Sequence, residues 1–74
     1  MRVRYINGAK QESILDVTRE EFIHGDFASE YHTALEASGM SRSRFDRSLK
    51  ANFNRFFPAD LTMERGATQS VEIL

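Results

Sequence analysis

Apolar and polar residues alternate at the start of the chain and then switch to a helical period. In Val3-Arg4-Tyr5-Ile6 the β-prone residues run into Asn7-Gly8, the strongest short turn dipeptide, and Ser13-Ile14-Leu15-Asp16-Val17 offers a returning strand. A strict two-residue turn would set Val3 opposite Glu12 and Tyr5 opposite Lys10, which spoils the apolar face, so a longer or bulged connection is expected.

Helical spacing begins at Thr18. Thr18 and Glu21 spell a capping box, Val17 can staple onto Phe22, and Gly25 ends a short helix. Asp26 is the expected cap of a second helix, in which Phe27, Tyr31, Ala34 and Leu35 form one stripe, Glu30 and Glu36 stay in water, and Gly39 is the stop. A third helix is predicted from about Ser41, with Phe45, Leu49, Asn52, Phe53 and Phe56 in a narrow arc. Ser43, Arg44, Arg47, Lys50 and Asn54 fall on its other side, and Pro58 forces its end. Beyond it, Leu61-Thr62-Met63 and Ser70-Val71-Glu72-Ile73-Leu74 flank Arg65-Gly66-Ala67, the spelling of a hairpin or wing. The pattern therefore predicts a single α+β domain over residues 1–74. It has an N-terminal strand or hairpin, three short helices with a helix-turn-helix-like corner, and a C-terminal hairpin or wing that completes a small sheet.

With 74 residues there is material for one core of marginal stability, which a second copy or a partner would support. The chain has no Cys, so packing alone must hold it, and a reducing cytoplasm is the expected setting. No apolar run reaches signal-peptide length or the roughly 18 residues of a membrane span, so no membrane partner is expected.

The formal net charge of -1 conceals a segregation. Between Ser41 and Arg55 the cations Arg42, Arg44, Arg47, Lys50 and Arg55 face only Asp46, whereas Asp16, Glu20, Glu21, Asp26, Glu30 and Glu36 make the preceding segment acidic. A basic helix after a glycine turn is what a helix-turn-helix needs to enter a DNA groove. Arg42, Ser43, Arg44 and Arg47 stand where base edges would be read, since an arginine can donate two hydrogen bonds to guanine. Ser41, Lys50, Asn54 and Arg55 are placed for phosphates.

The segment from Leu35 to Lys50 resembles the recognition unit of AraC-type transcription regulators. The likeness lies in the Gly39-Met40-Ser41 turn, the buried Phe45 and the Arg47 that follows it. It covers less than a quarter of the chain, and it implies a local DNA-reading motif. It departs from the family at Leu35, where that family usually has Ala, at Ser48, usually apolar, and in lacking a second such motif.

Other chemistry is sparse. His24 and His32 match no metal-ligand spacing, and the acids around the first helix are expected there on electrostatic grounds alone. No nucleophile-base arrangement or phosphate-cradling loop is present, so neither an enzyme nor a cofactor is expected. Phe53, Phe56 and Phe57 cannot all share one face. An exposed Phe57 beside Leu61 and Met63 would serve a dimer or partner surface. The leading expectation is a small sequence-specific DNA-binding regulator of bacterial or phage type, acting on double-stranded DNA as a homodimer. The competing one is a small phage-like inhibitor or adaptor that docks on a host protein through the acidic segment or the aromatic patch and leaves DNA alone.

Overall fold

A computed structural model describes residues 1–6, 9, 11–57 and 70–74. Three antiparallel strands, β1 (Arg2–Ile6), β2 (Glu12–Asp16) and β3 (Ser70–Ile73), form a sheet in the order β2-β1-β3. Four helices, α1 (Arg19–His24), α2 (Ala28–Ser38), α3 (Arg42–Arg47) and α4 (Leu49–Phe56), lie between β2 and β3 in sequence. The molecule is a small α+β fold, as the hydrophobic pattern implied, with four helices among the described residues where three were expected.

The hairpin register answers the question left by Asn7-Gly8. Ile6 pairs with Glu12 and Val3 with Leu15, so the connection is longer than a two-residue turn. That register puts Val3 and Leu15 on one face and leaves the charged residues on the other, which the tighter turn would have prevented. β3 pairs with β1, Val3 opposite Ile73 and Tyr5 opposite Val71, and thus completes the sheet from the far end of the chain. The strand expected at Leu61-Thr62-Met63 and the turn at Arg65-Gly66-Ala67 lie outside the described residues. Val3, Val71 and Ile73 are fully buried beneath the helices. On the open face Arg4 lies between two acids, its guanidinium 3.2 Å from Glu12 and 3.4 Å from Glu72, so this face carries no free arginine at its centre.

Helix α1 begins as its sequence dictates. Thr18 Oγ1 accepts from the Glu21 N–H at 3.1 Å, and Glu21 Oε1 accepts from the Thr18 N–H at 3.3 Å. The helix buries Phe22 and Ile23 and stops at Gly25, where a Cβ would sit 2.3 Å from the Glu21 carbonyl oxygen. Asp26 does not cap α2. The N-cap is Phe27, because the chain makes one more turn after α1 and the Ala28 N–H donates to the Gly25 carbonyl at 3.1 Å. The stripe Phe27, Tyr31 and Ala34 is buried as expected, with Leu35 packed at its edge.

The expected third helix is broken at Ser48, whose φ of -128° and ψ of 56° separate α3 from α4. Asn52 bridges the break by donating from Nδ2 to the Phe45 carbonyl at 3.0 Å. The bend sets the two segments against different neighbours: Phe45 meets Tyr31 edge-on at 5.6 Å, while Phe53 meets Phe22 edge-on at 4.9 Å. Phe57 stacks on Phe53 and is 5 % exposed, so it belongs to the core and cannot supply an exposed docking surface. Phe56 is the half-exposed member of the trio. Leu61 and Met63 lie outside the described residues.

Candidate nucleic-acid interface

The turn between α2 and α3 is locked by local hydrogen bonds. Gly39 adopts φ 66° and ψ 8°, a left-handed conformation in which a side chain would be strained, and its N–H donates to Glu36. Ser38 Oγ donates to the Leu35 carbonyl at 2.6 Å and accepts from the Met40 N–H at 3.0 Å. Ser41 then caps α3, its Oγ accepting from the Arg44 N–H at 3.3 Å. Met40 is tucked against the core. These bonds fix the direction in which α3 leaves α2.

The eight residues assigned to DNA separate into groups. Ser43, Arg44 and Arg47 on α3 and Lys50 on α4 are exposed, and among the described residues none of these three cations has a carboxylate partner. Arg55 is exposed too, with its guanidinium carbon 5.2 Å from the centre of the Phe56 ring. Arg42 is drawn backwards instead, 6.0 Å over the ring of Tyr31. Ser41 Oγ accepts the capping bond from Arg44, so Ser41 fixes the start of the six-residue α3. Asn54 points to the sheet, where its amide bonds Ile73 in both directions, so it is not free for a phosphate.

Asp46, the single acid in the basic segment, is turned inward. Tyr31 donates its hydroxyl to Asp46 Oδ1 at 2.5 Å, and Arg19 donates to the Asp46 carbonyl. Burial pushes the Tyr31 hydroxyl up to about 12, helped by the bond to Asp46 and by its negative charge, with nearby Arg42 acting the other way. The one acid of the segment is thereby held by Tyr31 on the side facing α2, and the outer side is left to Arg44, Arg47 and Lys50. Neither this pairing nor the Asn54 bonds have a local signature, since their partners lie 15 and 19 residues apart.

α2 packs chiefly on α4, with the shorter α3 held out at the corner. The segment available to a groove is therefore two turns or less, about 9 Å of helix. Among the described residues no group of three or more His, Asp or Glu side chains could hold a metal ion, and no helix is long and apolar enough to cross a membrane. No family model, curated protein or solved structure matches the chain.

Proposed function

We propose that this protein is a small sequence-specific DNA-binding regulator of transcription that acts as a homodimer and presents α3 to the major groove. The observation that carries this reading is the row of exposed cations Arg44, Arg47 and Lys50, without a carboxylate partner among the described residues, on an abrupt helix corner set by Gly39 and Ser41. Arg44 and Arg47 are three residues apart on one helix face, where both reach the same stretch of base edges. Ser43 lies beside them, and Arg42, stacked on Tyr31, lines the inner flank of the helix. Lys50 and Arg55 serve the phosphates, which position the protein without reading sequence. Arg44→Ala should cost about 1–3 kcal/mol of binding and relax base preference, whereas Lys50→Ala should weaken all duplexes alike.

The test is a gel shift with random duplex at low ionic strength, paired with a mass measurement in solution. Counterion release favours binding most under those conditions. Retarded duplex and a dimer support the reading. A chain that leaves the duplex unshifted is not a DNA-binding regulator, and the protein-docking alternative then takes its place.

A further inference from the structure

The two edges of the sheet are finished differently. The Val17 N–H donates to the Met1 carbonyl at 2.9 Å, so the odd-numbered residues of β2 bond β1. By alternation the N–H and C=O groups of Glu12, Ile14 and Asp16 point away from the sheet. Among the described residues β2 is an outer strand, and all five of its residues are exposed, Ile14 by 55 % and Leu15 by 41 %. Under this edge Tyr5, Leu15, Asp26, Phe27 and Glu30 line a groove of about 310 Å³. A second hollow of about 200 Å³ shares Leu15, Asp26 and Phe27 and adds Glu21 to the rim. Glu30 lines the first groove, and its Oε2 is buried with no hydrogen-bond partner among the described residues. Beside it the rings of Tyr5 and Phe27 meet edge to face at 6.0 Å.

An open backbone edge, an apolar step at Leu15 and an unsatisfied buried acceptor between aromatic walls call for an extended chain with a cationic side chain. We propose that the β2 edge and this groove form a docking site for an extended segment of a partner protein bearing lysine or arginine at alternate positions. The segment adds as a fourth strand along Ile14, and the side chain it places next to Leu15 carries its charge to Glu30 and Asp26. Charge selects this occupant over a second copy. Two-fold pairing of β2 about Ile14 would set Glu12 against Asp16 of the copy, and like charges directly opposite destabilise a strand pair. A strand that carries its cations on the Leu15 side meets Asp26 and Glu30 with opposite charge, while its other face lies against the Glu12, Ile14 and Asp16 side of the sheet. The site lies on β2 and the α1–α2 connection, separate from α3, and its existence does not depend on DNA binding.

The probe is a blocked heptapeptide of alternating lysine and valine, titrated into the isotope-labelled full chain and followed by amide chemical shifts. The control peptide has glutamate in place of lysine. The lysine peptide should move the amides of Glu12, Ile14 and Asp16, and the glutamate peptide should not. Glu30→Gln should weaken binding roughly tenfold, the loss expected for one charge-assisted contact, while Glu36→Gln, on an exposed part of α2, leaves it unchanged. Ile14→Pro, which deletes an outward N–H, should abolish it. The proposal is overturned if the lysine peptide fails to bind, if both peptides bind alike, or if Glu30→Gln binds as tightly as the parent. A solution dimer that Ile14→Pro dissolves would put a second copy on this edge and overturn it equally.

Discussion

The carboxamide of Asn54 pairs with both backbone polar groups of Ile73: Nδ2 donates to the carbonyl at 2.8 Å and Oδ1 accepts from the N–H at 2.9 Å. A side chain of α4 thus does for β3 what a neighbouring strand would do, and it ties the last strand to the helix that follows the basic corner. Ile73 itself is 2 % exposed, so its backbone groups have little access to water as a substitute partner.

Asn54→Ala should therefore cost about 1–3 kcal/mol, because two backbone groups lose their partners together. Asn54→Asp should recover little of that loss, since a carboxylate can accept from the N–H but cannot donate to the carbonyl. Urea unfolding of the three proteins checks this. Parent-like stability of the alanine variant would mean that the edge of β3 is not held by this bond.

The two glycines that end α1 and α2 should respond differently to alanine. At Gly39 a Cβ meets nothing within 4 Å, so the only cost is the left-handed backbone, about 1–2 kcal/mol. At Gly25 a Cβ would collide with the Glu21 backbone, and relief requires the α1–α2 connection to move. Gly25→Ala should lose more stability than Gly39→Ala, and the order of their urea midpoints decides it.

The Tyr31 hydroxyl is held at about 12, above its ordinary value of 10.0. The folded state keeps this proton more tightly than the unfolded chain does. The contribution to stability is therefore complete below pH 10 and is lost as pH rises towards 12. Absorbance titration of tyrosinate in a Tyr5→Phe background should show the late transition, and unfolding should move it back to the ordinary value. Tyr31→Phe should flatten the alkaline fall in stability and, by stranding Asp46, cost about 1–2 kcal/mol at neutral pH.

What could be read from the residues was what neighbours in sequence decide. The Thr18–Glu21 box, the stop at Gly39 and the cap at Ser41 each involve residues three or fewer positions apart, and each is present in the structure. The hairpin was also legible, because only a lengthened connection puts Val3 and Leu15 on one face. The break at Ser48 was not. Serine in a helix interior costs little by propensity, and the carbonyl that the bend exposes is satisfied by Asn52, seven residues from Phe45. Asp26 misled for the opposite reason: a good capping residue was bypassed when Gly25 accepted the Ala28 N–H and moved the helix start on by one. At the corner, sequence placed eight side chains together, but Arg42 and Asn54 are claimed by Tyr31 and Ile73, which only tertiary packing brings near.

The most direct measurement is duplex affinity as a function of salt for the parent chain and for Arg44→Ala, Arg47→Ala and Lys50→Ala. With Lys50 and Arg55 on the phosphates, the slope of log affinity against log salt should be about -2 per subunit, and Lys50→Ala should reduce its magnitude by about 1. Arg44→Ala and Arg47→Ala should in addition narrow the gap between preferred and random duplex. Binding that is absent at low salt, or whose slope and sequence preference survive all three substitutions, would contradict the assignment of this corner to DNA.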